Sequence, residues 1–131
     1  MSKNNVGEKT AISKNIILTF NFKYMIEHSD NIKKVLSIID IQQRIRHDTI
    51  KFHMSTILEQ YKKLFSAKDY LICRYKLNYQ LIGSLHVFYD WFINDMPIPL
   101  EEIVSMINAM NTPKNTLYRD IPYITVHINN F

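Results

Sequence analysis

An all-α bundle of about five helices is the fold this chain predicts, and three observations carry that expectation. The two glycines and four prolines leave long uninterrupted stretches, which suit helices better than a turn-rich β fold. Ile50, Met54, Ile57, Tyr61 and Leu64 fall at alternating spacings of four and three, the seam of a long rod packed along one side. From Leu81 to Ile107 the chain reads LIGSLHVFYDWFINDMPIPLEEIVSMI. That is a helix apolar on nearly every side, a turn bracketed by prolines, and an amphipathic helix.

The elements follow in order. Residues 1–11 are polar and have no periodic apolar face, so they read as a flexible lead-in. A first helix is expected from about Ile12 to His28, with Ile16, Phe20 and Met25 near one line and Ile17 and Tyr24 widening it. Asp30 suits the N-cap of a short second helix, whose Ile32, Val35, Leu36 and Ile39 have the spacing of a buried stripe. The third helix, from about Asp40 to Phe65, carries the seam above and sets Lys51, Glu59, Lys62 and Lys63 opposite it.

Ser66 and Asp69 have capping-box spacing and open a fourth helix running to about Asn94. Pro97 and Pro99 must end it, because proline removes an amide donor and biases the preceding residue away from helix. The fifth helix then starts with Pro99 at its first position, Glu101 and Glu102 against the positive dipole end, and Leu100, Ile103, Val104 and Ile107 inward. Residues 112–131 read as a loop and an extended arm: Ile124, Val126 and Ile128 alternate with Tyr123, Thr125 and His127. A lone strand in a helical domain has no partner, so the arm is expected to lie in a groove, pair across a dimer or stay disordered.

On the fourth helix Leu81, Leu85, Phe88 and Phe92 form one stripe, and Ile82, His86, Tyr89 and Ile93 a neighbouring one. One flank of core does not cover both. A chain of 131 residues is a single domain, and the economical cover for the second stripe is another copy, since two-fold dimers are the commonest soluble oligomers.

Composition excludes several classes. The single Cys73 forms no internal disulfide or zinc knuckle, and an intracellular, cytoplasmic home is expected. No apolar run reaches the roughly 20 residues of a membrane span. The net charge of +4 is dispersed: Lys33 and Lys34 are followed by Asp40, Arg44 and Arg46 by Asp48, and Lys62 and Lys63 by Asp69, which reads as a solvated surface.

Catalytic patterns are missing too: there is no glycine-rich phosphate loop, HExxH, nucleophile elbow or di-metal carboxylate set. The five histidines, His28, His47, His53, His86 and His127, are dispersed along the chain with no ligand spacing among them, and no metal, cofactor or enzyme activity is expected. His86 and Asp90 are an i, i+4 pair, able to bond along the helix or to meet a bound molecule. The aromatic residues Phe20, Phe22, Tyr24, Phe52, Tyr61, Tyr75, Tyr79, Phe88, Tyr89 and Trp91 sit on the three long helices. They describe a packed core or the walls of a small-molecule pocket equally well. The residues expected to line such a pocket are Phe20, Tyr24, Phe52, Tyr79, His86 and Tyr89.

The segment Tyr79 to Met110 resembles the carboxy-terminal region of TetR-family transcriptional regulators. The likeness rests on Gly83 within a long apolar helix, Trp91 eight residues on, the polar Asn94-Asp95-Met96-Pro97, and Pro99-Leu100-Glu101-Glu102-Ile103 opening the last helix. It spans about a quarter of the chain. The resemblance implies a helical domain over residues 12–111 whose last two long helices pair with a second subunit's as a four-helix bundle, with an interior that often holds an inducer. It implies that Gly83 permits close helix approach, that Trp91 anchors the core, and that Leu81, Leu85, Phe88, Ile103 and Ile107 join Gly83 at the dimer seam.

Two features depart from the family pattern. Ile98 stands where a serine or threonine usually precedes the proline, and the residues before Ile12 are too few for the helix-turn-helix of a DNA reader. The expectation is therefore a dimerising regulatory domain, a candidate sensor of a small apolar or amphipathic molecule, that does not itself bind DNA. The alternative is a small helical protein-interaction module without a ligand.

Overall fold

The computed structural model describes residues 15–114 and 120–129. The lead-in at 1–11, the start of the expected first helix at 12–14, and residues 115–119 and 130–131 of the predicted arm lie outside the described residues. The order of elements is β1 (Asn15–Asn21), α1 (Phe22–Glu27), α2 (Ser29–Leu36), α3 (Ile39–Lys62), α4 (Ala67–Ile93), α5 (Leu100–Asn111) and β2 (Tyr123–Asn129). The fold is mainly helical, but it is not all-α. β1 and β2 form a parallel two-stranded sheet in register from Asn15 opposite Tyr123 to Asn21 opposite Asn129.

The strand β1 replaces the first half of the helix expected from Ile12. Its residues Asn-Ile-Ile-Leu-Thr-Phe-Asn are rich in β-branched and aromatic side chains, and Leu18 and Phe20 point inward while Ile17 and Thr19 face out. A helical reading of the same apolar cluster is equally periodic over so few residues. The choice falls to the strand because β2 lies alongside it, a partner more than a hundred residues away in sequence. Asn21 then ends the strand and starts α1, its side-chain oxygen accepting from the Tyr24 amide at 3.1 Å.

The predicted alternation of the C-terminal segment appears as β2, with Ile124 and Val126 buried and His127 exposed. It is not a free arm, because β1 supplies the partner strand. Its other edge is closed by side-chain amides from the helices beneath. Asn108 Nδ2 donates to the Val126 carbonyl at 3.1 Å while Val126 N–H donates to Asn108 Oδ1 at 2.6 Å. Ile124 N–H donates to Gln80 Oε1 at 2.8 Å, and Gln80 Nε2 donates to the Asn111 carbonyl at 2.9 Å. Asn111 Nδ2 in turn donates to Ser84 Oγ at 2.8 Å. Polar side chains of α4 and α5 thus meet β2 at Ile124 and Val126 as a third strand would.

The two long helices, of 24 and 27 residues, pack together and form the body of the molecule. Helix α3 starts one residue before the expected Asp40 and ends at Lys62, and Ser66 caps α4 as its spacing implies, accepting from the Asp69 amide at 3.2 Å. Helix α2 begins at Ser29, so Asp30 lies in its first turn and not at its cap. Pro99 is likewise the cap of α5, with Leu100 its first helical residue.

Helix α4 closes with a Schellman arrangement: Met96 N–H donates to the Trp91 carbonyl and Asp95 N–H to the Phe92 carbonyl. Asp95 and Met96 both adopt positive φ, 66° and 53°, and the Asp95 carboxylate accepts from Lys33 Nζ at 2.7 Å. A β-branched residue tolerates that backbone poorly. Asp95→Val is therefore expected to cost about 1–2 kcal/mol and Asp95→Asn close to nothing, as urea unfolding followed by circular dichroism will show.

The core lies between α3, α4, α5, β1 and β2. Cys73, Leu77, Leu81, Leu85, Phe88 and Phe92 are all buried to within 1%, and Ile103, Ile107, Ile121, Ile124 and Val126 complete the packing. Phe20 stacks on Phe88 with centroids 4.1 Å apart. Trp91 sits against Phe88 and donates from Nε1 to the Ile98 carbonyl at 2.8 Å.

That packing revises the expected dimer seam. Leu81, Leu85, Phe88, Ile103 and Ile107 are covered by the chain's own helices and strands and offer nothing to a second copy. The sheet supplies the cover that a second subunit was expected to provide. Only Gly83, of the six residues, lies at the surface.

Candidate functional site

Two open grooves lie against α4. The first lies where β1, α1, α2, α3 and α4 converge, with a volume of about 390 Å³. Its floor is Phe20, Met25, Ile32, Leu36 and Ile45, and Tyr24, His28, Asn31 and Tyr89 place polar groups around it. The sequence positions these side chains plainly: Ile32 and Leu36 form the predicted inward stripe of α2, and Phe20 reaches the groove because it ends β1 facing inward. Phe20 meets Tyr89 edge-on at 6.2 Å. Burial pushes the Tyr89 phenol above its ordinary range, and the nearby Arg46 guanidinium opposes that shift.

Of the six residues expected to line a pocket, Phe20, Tyr24 and Tyr89 come together here. The other three do not. Phe52 is 68% exposed on α3, with its ring against His53. Tyr79 is 82% exposed and belongs to the second groove, described below. His86 faces a smaller recess of about 260 Å³ with Asp90, Trp91 and Pro97. Its Nδ1 lies 3.3 Å from Arg46 Nη2, a contact in which the arginine can only donate. Asp90 accepts instead from Asn94 Nδ2 at 3.3 Å. The helical spacing of His86 and Asp90 therefore does not become a hydrogen-bonded pair.

Sequence reasoning missed Met25, Ile45 and Arg46. Arg46 gave no signal, since its neighbours Arg44 and Asp48 make it look like one charge on a solvated face. In the fold it turns against α4. Its guanidinium is half-buried, and its Nε is buried without an acceptor.

The second groove, about 650 Å³, runs between α4 and α5. Tyr79, Ile82, Gly83, Val87 and Met110 line it, and Tyr75 and Met106 lie exposed on the same two helices. A Cβ added at Gly83 would meet nothing within 4 Å. The glycine does not accommodate a close helix neighbour within this chain, and it opens onto the groove.

Elsewhere the chemistry is quiet. Burial pushes the Cys73 thiol up to about 11, so it stays protonated near neutral pH and is a poor nucleophile or ligand. Burial lowers the His53 pKa and the Lys76 pKa, and Lys76 donates to the Ile121 carbonyl at 3.3 Å. Among the described residues no three His, Cys, Asp or Glu side chains converge as a metal site, and no helix is long and apolar enough to cross a membrane.

No family model, curated protein or solved structure matches this chain. The reading of its function rests on the two grooves.

Proposed function

We propose that this chain is a dimerising regulatory domain of the TetR type, with a small-molecule sensing groove in each subunit. The observation that carries the reading is the α4–α5 face. Tyr75, Tyr79, Ile82, Met106 and Met110 are exposed there around an open Gly83. Aromatic and methionine side chains are the residue types enriched at protein interfaces. Two adjacent helices presenting such a face to a two-fold copy give a four-helix bundle of ordinary geometry. The seam so formed uses the stripe through Ile82, with Gly83 at a position where a partner helix approaches without obstruction.

The first groove supports the sensing half. Its volume is that of a small-molecule site, and it is apolar with a few polar groups at its edge. A ligand there touches β1, α1, α2, α3 and α4 at once. It would bias the arrangement of those elements only to the extent that it binds one arrangement better than another.

The test of the dimer is light scattering coupled to size-exclusion chromatography at micromolar concentration. The expected mass is twice 15.6 kDa, and the double substitution Ile82→Glu with Met110→Glu is expected to halve it without loss of helical signal. A monomeric wild-type chain would overturn the reading and favour docking of the same face onto a different protein.

A further inference from the structure

The two outer edges of the sheet differ. On β2 the Ile124 and Val126 amides and the Val126 carbonyl turn away from β1 toward Gln80 and Asn108. Backbone groups alternate in direction along a strand, so Thr125 and His127 are among the residues of β2 that bond β1. In a parallel ladder each of these bonds the two neighbours of its register partner. Thr125 stands opposite Ile17 and His127 opposite Thr19, so the bonded residues of β1 are Ile16, Leu18 and Phe20. Ile17 and Thr19 then turn their N–H and C=O groups to the far edge, where no strand or side chain among the described residues meets them.

An open edge of this kind is a template for another extended backbone, and natural strands guard it with lysine, proline, a bulge or shortness. Strand β1 has none of these guards: it is seven residues long, without charge or proline, and pairs with β2 without a bulge. Ile17 and Thr19 are both exposed.

The sequence of β1 selects the occupant. Asn-Ile-Ile-Leu-Thr-Phe-Asn is symmetric in character about Leu18: β-branched Ile17 and Thr19 flank it, large apolar Ile16 and Phe20 come next, and Asn15 and Asn21 close the ends. An antiparallel copy related by a two-fold axis at Leu18 sets Ile17 opposite the partner's Thr19, and Thr19 opposite the partner's Ile17. These are the residues whose backbone groups face the edge, and each such pair exchanges both of its N–H···O bonds. On the inner face Ile16 meets the partner's Phe20, apolar against apolar, and no like charges oppose one another.

We propose that β1 pairs with the β1 of a second copy as antiparallel strands, joining two sheets into one continuous sheet across a two-fold axis at Leu18. The contact shares no residue with the α4–α5 face and goes beyond the dimer proposed there. Two distinct two-fold contacts on one chain build assemblies larger than a dimer. A contact made by one strand is smaller than a standard interface, so association in the range of about 100 µM is expected.

The experiment uses the full chain carrying Ile82→Glu and Met110→Glu, which closes the α4–α5 face and leaves β1 untouched. Sedimentation equilibrium from about 10 µM to about 1 mM is expected to show the mass rising from 15.6 kDa toward twice that value. Over the same range, amide exchange at Ile17 and Thr19 is expected to slow by about fivefold or more while Leu18, already in the ladder, does not change. Thr19→Pro removes an edge donor that the ladder does not use, and is expected to abolish the association. Should that variant fail to fold, Ile17→Lys keeps the backbone and places a charge at the edge, with the same expected loss. A mass constant to the highest concentration, association that these substitutions leave unchanged, or Ile17 and Thr19 amides equally protected at every dilution would each overturn the proposal.

Discussion

Replacing Gln80 by leucine is expected to destabilise the fold by about 2–5 kcal/mol, although leucine is apolar, similar in size and placed on the buried side of α4. The Gln80 amide serves two backbone groups at once, accepting from Ile124 N–H at 2.8 Å and donating to the Asn111 carbonyl at 2.9 Å. Leucine would strand both in the interior, and each unpaired buried group costs about 1–3 kcal/mol. The loss should appear in two measurements. Urea unfolding should shift to lower denaturant, and amide hydrogen exchange should show Ile124 losing protection before the helices do. Asn78→Ala, two residues away on the exposed side of α4, is the control and should stay within about 0.5 kcal/mol of wild type. A Gln80→Leu protein as stable as wild type would mean that the edge of β2 is not held by this side chain.

Phe88→Ala is expected to cost about 3–5 kcal/mol, the range for removing a fully buried aromatic ring. Phe88 is wholly enclosed, and it is where the strand layer meets the helix layer: Phe20 of β1 stacks on it at 4.1 Å, and Trp91 leans on it at 5.5 Å. Losing the ring removes transfer free energy, leaves a cavity and unseats Phe20. Because Phe20 also lines the first groove, the same substitution should weaken ligand binding there. Phe88→Leu fills more of the space and should recover part of both effects. Thermal unfolding of the two variants, with titration of a small amphipathic probe into each, measures them together. Equal stability of the alanine and wild-type proteins would show that β1 is not anchored through this residue.

The long helices were legible because each carries enough turns for its periodicity to be unambiguous. The seam through Met54 and Tyr61 lies inward as spaced, Ser66 caps as its position implies, and the prolines break the chain between α4 and α5. The short elements were not legible in the same way. Seven residues from Asn15 to Asn21 satisfy a helical stripe and a strand alternation alike, and nothing local decides between them. The apolar girth of α4 is real, and the stripe through Leu81, Leu85 and Phe88 is covered from within the chain. A sheet built from the two ends of the described chain encloses Leu81, Leu85 and Phe88, and the exposed remainder passes to Tyr79, Ile82 and Met110. Gln80, Ser84, Asn108 and Asn111 carried no recognisable motif. Their role as a substitute for a third strand exists only once β2 lies beside them.

The sequence by itself determined the helical class, the two long rods, the proline-bracketed turn and the alternation of the last strand. These depend on spacing and backbone restriction within a few residues. Only the tertiary structure decided that the ends of the described chain pair as parallel strands, which stripe of α4 stays open, and that Arg46 turns against His86 of α4 with its Nε buried and unpartnered. Each of those outcomes joins residues distant in sequence. Hydrogen-bond satisfaction and burial are set by whatever arrives alongside, so local pattern does not contain them.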